Sequence, residues 1–122
     1  KVDDITGKIY RLYNAAFNRF PDKDGFNYWI NKNISGQNSY RQTADSFILS
    51  EEFKNLFGTN PNNTLYINAL YQNVLERTPD SEGFNYWLNQ IEEGRENRSE
   101  LLMGFAESIE NKNLFSIETG IF

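Results

Sequence analysis

Laid against itself at an offset of 58 residues, the chain aligns Ile9 to Phe57 with Ile67 to Phe115 without a gap, and about 20 of 49 positions are identical. Leu12-Tyr13 falls on Leu70-Tyr71 and Arg19 on Arg77. Pro21-Asp22 falls on Pro79-Asp80, and Gly25-Phe26-Asn27-Tyr28-Trp29 on Gly83-Phe84-Asn85-Tyr86-Trp87. Whatever one unit folds into, the other must closely copy. A unit of this size has only a marginal core of its own, so the two are expected to pack together and share apolar surface. The reading is a single domain over residues 1–122, with repeat one at about 3–58 and repeat two at about 62–116. Gly58-Thr59-Asn60-Pro61-Asn62-Asn63-Thr64 is the turn-rich connector between them.

Inside each unit the apolar residues return at helical spacing. Ile5, Ile9, Leu12, Tyr13, Ala16 and Phe17 share one stripe, as do Leu70, Tyr71, Val74 and Leu75. Phe26, Trp29 and Ile30 mark a second helix, answered by Phe84, Trp87, Leu88 and Ile91. Ala44, Phe47 and Ile48 mark a third, answered by Leu101, Leu102, Phe105 and Ile109. Gly36 and Gly94 stand where the second helix should stop. Ser39 with Gln42, and Asn97 with Glu100, have capping-box spacing for the third, and Ser50-Glu51-Glu52 opens a short fourth. Two-residue alternation is nowhere sustained. The predicted fold is all-α, a compact bundle of six to eight helices made of two homologous repeats sharing one core. The second copy departs at Ile109 and Asn111, where the first has Glu51 and Phe53, so a different last helix is expected there.

Composition narrows the chemistry. Without Cys or His there is no disulfide, thiolate nucleophile, Ser-His-Asp triad or conventional zinc or haem site. A net charge of −5 argues against a phosphate-backbone partner, so no nucleic acid is expected. No stretch has the roughly 20 apolar residues of a membrane span. The ends, Lys1-Val2-Asp3-Asp4 and Ile121-Phe122, read as cuts from a larger multidomain chain.

The densest local signal runs from Arg19 to Trp29 and again from Arg77 to Trp87. Most of it has a structural reading. Pro21 and Pro79 end the first helix, Asp22 and Asp80 cap the second, and Asp24 and Glu82 place acid in its first turn. Arg19 and Arg77 sit at a helix end within reach of the capping carboxylate. Gly25 and Gly83 would allow close backbone approach, and Trp29 and Trp87 would fill the helix junction as core. Three other chemistries use the same residues. Calcium would draw on Asp22, Asp24, Asp80 and Glu82 with Asn27 as a further oxygen donor, although the complete EF-hand loop is absent. A saccharide would stack on Tyr28 or Tyr86 and bond to Asn27, Asn85, the arginines and the carboxylates. Glycosidase chemistry would need two carboxylates across a cleft, and duplication of both acids at helix starts speaks against it. No catalytic residue, cofactor or resident metal is expected.

The pattern from Leu12-Tyr13 through Arg19, Pro21-Asp22, Gly25, Tyr28-Trp29, Phe47, Ser50 and Glu52-Phe53, repeated from Leu70-Tyr71 to Tyr86-Trp87, resembles a bacterial domain family of uncharacterised function. That family is found in secreted, surface-layer and calcium-binding-repeat proteins and is distantly similar to the phycobilisome linker domain. The resemblance implies an all-α fold and an accessory role in a larger exported protein, secreted or at the cell surface. The aromatic-rich duplicated fold without catalytic equipment adds the expectation of a binding or assembly module with a glycan or neighbouring surface protein as partner. The alternatives are a structural spacer, a phycobilisome-linker-like scaffold, for which the chain is too acidic, and a calcium-stabilised module.

Overall fold

The computed structural model describes residues 4–119, and within them there is helix but no strand. The helices are α1 (Ile5–Phe17), α2 (Lys23–Ile34), α3 (Tyr40–Ile48), α4 (Glu51–Phe57), α5 (Asn63–Leu70), α6 (Ser81–Glu92), α7 (Arg98–Ala106) and α8 (Ile109–Thr119), with α5 running on into a π turn over Tyr71–Leu75. All eight open on side chains that the sequence offers, α8 on Ser108. Asp4, Asp22, Ser39, Ser50, Asn62, Asp80 and Asn97 each accept a hydrogen bond from a first-turn backbone N–H. Ser39 with Gln42 and Asn97 with Glu100 form complete capping boxes. Each such cap contributes about 1 kcal/mol.

The 58-residue offset reappears in the backbone. Asn18 (φ 52°) and Glu76 (φ 59°) both end a first helix in the left-handed region, and Gly36 (φ 82°) and Gly94 (φ 74°) both follow a second. Ser50 and Ser108 both cap the turn after the third helix, through Phe53 N–H and Asn111 N–H. The expected departure is also present. Gly58 (φ 96°) stops α4 after seven residues, whereas Ser116 holds the equivalent place and α8 continues to Thr119. Asn111 is buried where the first copy has Phe53, and its side-chain amide donates to the Ala106 carbonyl at 2.7 Å.

One apolar cluster spans both copies, with Leu12, Ala16 and Phe47 from the first and Ile67, Leu101 and Phe105 from the second. The first copy's α1 and α3 both pack on α7 of the second. Each copy also sends a phenylalanine from its last helix onto the other's first helix: Phe57 lies 5.8 Å from Tyr66, and Phe115 lies 5.2 Å from Tyr10, ring centre to ring centre. α2 and α6 lie outside this core and bury no residue completely. Trp29 and Trp87, expected as core, are therefore half-buried and press against Phe47 and Phe105 at 5.0 and 4.9 Å.

Candidate functional site

The two Arg-to-Trp corners are built alike. Arg19 donates Nε and Nη2 to the carboxylate of Glu52 at 2.7 and 3.0 Å, donates Nη1 to the Phe20 carbonyl, and lies over the Tyr13 ring at 5.0 Å. Arg77 repeats this with Glu110 at 2.8 and 3.0 Å, the Thr78 carbonyl, and Tyr71 at 5.1 Å. The expected partner, the capping aspartate, is a secondary one: only Arg77 approaches it, with Asp80 at 3.8 Å. The reason is local. Asp22 already accepts from Gly25 N–H at 2.7 Å and Asp80 accepts from Gly83 N–H, while the first turn of the fourth helix presents a free bidentate carboxylate. The hydrogen-bonded Glu52 holds the Arg19 guanidinium above its ordinary pKa, and the bond from Arg77 lowers that of Glu110. Both arginines thus tie the end of a copy's first helix to its fourth, with the carboxylate and a loop carbonyl of the same copy as acceptors.

The glycines play a different part from the one expected. A Cβ on Gly83 would run into the hydroxyl of Tyr71 and, at 2.8 Å, the carboxylate of Asp80. At Gly25 it would meet only the Asp22 carboxylate at 3.1 Å. What they admit is a side chain, and no second backbone comes close. Asp24 and Glu82 are exposed in the first turns of α2 and α6. Among the described residues no three acidic side chains converge in a way that could hold a metal ion, so Asp22 with Asp24, and Asp80 with Glu82, remain pairs.

Tyr28 and Tyr86 stand outside this web of bonds, 52% and 54% exposed. Each ring meets the neighbouring indole edge to face, Tyr28 on Trp29 at 4.9 Å and Tyr86 on Trp87 at 5.0 Å, so the ring is braced while much of it stays open. Asn27 and Asn85 are exposed beside them. Tyr28 borders a shallow groove of about 330 Å³ with Asn31, Lys32, Ser35 and Gln37, and the Lys32 ammonium lies 5.3 Å from the ring centre. In the second copy Gln90, Glu93 and Arg95 replace Lys32, Ser35 and Gln37. There Arg95 pairs with Glu93 at 3.1 Å and Gln90 donates to Glu96 at 3.0 Å, so the two tyrosine surfaces differ in charge and in freedom.

Sequence reasoning missed one polar cluster altogether. Arg11, on the face of α1 opposite the apolar stripe, is completely buried and donates Nε and Nη2 to Glu107 at 3.0 and 2.9 Å. This ion pair joins the first copy to the second. The hint in the sequence was Ala69, a small apolar residue at the equivalent position of the other copy.

These features define an all-helical chain with two like corners, in which the arginines are paired from within and an exposed tyrosine stands beside an exposed asparagine. The chain belongs to the DUF4214 family, described as a domain of unknown function, whose model matches residues 44–115. That span begins in α3 of the first copy and ends at Phe115 of the second. No curated protein and no solved structure matches the chain significantly. No helix among the described residues is long and apolar enough to cross a membrane.

Proposed function

We propose that the chain is a non-catalytic binding or assembly module of a larger secreted or cell-surface bacterial protein, contacting glycans or neighbouring surface proteins through Tyr28 and Tyr86. The observation that carries this reading is the half-exposed tyrosine braced on a tryptophan edge at the same place in both copies. A ring held in this way loses little conformational freedom when a sugar face or an apolar side chain stacks on it. The amides of Asn27, Asn31 and Gln37 stand close enough in sequence and space to serve hydroxyl groups. A pure spacer would have no reason to leave two large rings open at equivalent points. The calcium alternative draws no support from the corners, where Asp22 and Asp80 are engaged as helix caps.

A glycan array followed by calorimetry tests the saccharide half. The expected result is binding to a subset of sugars that falls at least tenfold in Tyr28→Ala and is lost in the Tyr28→Ala, Tyr86→Ala double variant, with an unchanged helical spectrum. Flat responses across diverse saccharides would remove the glycan and leave surface protein as the partner class.

A further inference from the structure

The junction between the copies holds two grooves that share three lining positions at the 58-residue offset. One, of about 350 Å³, is lined by Lys8, Tyr40 and Glu107 among others. The other, of about 290 Å³, is lined at the equivalent positions by Tyr66, Arg98 and Leu49. Even the cation–π contact is inverted: Lys8 lies over the Tyr40 ring at 6.0 Å, and Arg98 over the Tyr66 ring at 4.9 Å.

The two grooves differ in how their charge is met. The first is lined by Glu96, Glu100 and Glu107 as well as by Lys8 and Arg41; Arg41 donates to Glu100, and Glu107 accepts from Arg11 and lies 3.9 Å from Lys112 behind it. At the second, Ala69 stands in for Arg11 and Leu49 for Glu107, while the lysine is kept as Lys54. Its lining contains two cations, Lys54 and Arg98, and no carboxylate, although the chain as a whole is acidic. Among the described residues Lys54 makes no ion pair. Packing differs in the same sense. α1 packs along α7, whereas the equivalent helices α5 and α3 do not pack on each other, and the groove is walled by α4, the 58–61 connector, Tyr66 and Arg98. Its floor is apolar, from Ile48, Leu49, Phe53 and Pro61, and Arg98 is held in place by its bonds to the Pro61 carbonyl and Asn63.

The geometry points to a binding site for a small apolar carboxylate in this groove. The anion sits between Lys54 and Arg98, in the position that Glu107 fills at the related groove, and the apolar body lies against Leu49, Phe53 and Pro61. The volume is at the small end of the roughly 300–1,000 Å³ usual for ligand pockets, which suits a single ring or a short chain rather than a folded partner. This site is separate from the tyrosine surfaces and does not rest on their role.

The test is an amide NMR titration of the whole chain with phenylbutanoate, in parallel with phenylbutanol and phenylbutylamine. Phenylbutanoate is expected to shift the amides of Leu49, Lys54, Thr59 and Asn60, and the alcohol to bind about tenfold more weakly because it lacks the charge-assisted bonds. Lys54→Gln weakens the acid without changing the alcohol. Leu49→Glu, at a position 70% exposed and therefore tolerant of substitution, installs the missing carboxylate and abolishes binding of the acid while the spectrum stays folded. Absent or scattered shifts, an alcohol that binds as tightly as the acid, or unchanged binding in Leu49→Glu would each overturn the site.

Discussion

Glu107→Ala isolates Arg11, a fully buried charge whose ion pair joins the two copies. The Arg11 guanidinium has no exposed surface, and two of its nitrogens depend on the Glu107 carboxylate. Removing that carboxylate leaves a cation buried without a counterion, which costs about 3–5 kcal/mol. Glu107 itself is 21% exposed, so water can enter the space it leaves, which puts the cost at the low end, about 3 kcal/mol. For a domain whose whole stability is on the order of 5–15 kcal/mol, that is a large share. The pair is not perfectly satisfied either, because Arg11 Nη1 is buried with no partner. Replacing both charges, as Arg11→Met with Glu107→Leu, is therefore expected to be neutral or to stabilise by about 1–4 kcal/mol. Leucine is the residue that the first copy already carries at Leu49. Urea unfolding followed by circular dichroism, on the parent, both single variants and the double, gives the coupling between the two positions. A cost below about 1 kcal/mol for Glu107→Ala, or two single costs that simply add, would refute the reasoning.

The glycines and the carboxylates give further tests. Gly83→Ala is expected to destabilise by about 1–3 kcal/mol through the clash with Tyr71, and Tyr71→Phe in that background to recover part of it. Gly25→Ala, which meets no such ring, should be neutral or stabilise by up to about 1 kcal/mol, and equal costs at the two positions would contradict the contact. Glu110 and Glu100 are among the carboxyls that titrate below the ordinary range in the folded chain. Glu110 does so because Arg77 donates to it, and Glu100 because Asn97 N–H donates to it, with Arg41 adding to the effect. A lowered folded pKa means stability that is present above the unfolded value of about 4.3 and is lost as pH falls through the folded one. Unfolding midpoints should therefore drop on acidification below that value, with a smaller drop in Glu110→Gln. At the other extreme, burial raises the pKa of Tyr66 and Tyr40, so stability should be full below about 10 and decline as pH rises past it, with tyrosinate absorbance appearing late.

The helices were legible because their signals act over three or four residues. A capping side chain reaches the third N–H of its own helix, and a left-handed residue ends it, so Asp22, Ser39, Asp80, Gly36 and Gly94 could be placed from sequence alone. The partners of Arg19 and Arg77 were not legible in that way, because each reaches a glutamate 33 residues further on. Local rules favoured the nearer aspartate, which the backbone had already claimed. The offset did contain the missing hint, since Glu52 and Glu110 are themselves 58 residues apart. Trp29 and Trp87 were assigned too deep a place because periodicity gives the inward face of a helix without its depth, and α2 and α6 ride on the outside of the bundle. Arg11 was hidden for the opposite reason. Periodicity puts it on the face of α1 opposite the apolar stripe, and only the packing of α1 on α7 buries that face and supplies Glu107.

Two units pressed around one interior underlie the corners, the tyrosine surfaces and the junction grooves alike. Separate production of residues 4–58 and 61–119, with circular dichroism and urea unfolding of each alone and of the mixture, tests this most directly. Neither half alone should show a cooperative transition, and the equimolar mixture should regain helix and unfold as one. A half that holds a full helical spectrum and unfolds cooperatively by itself would show that the interior is not shared.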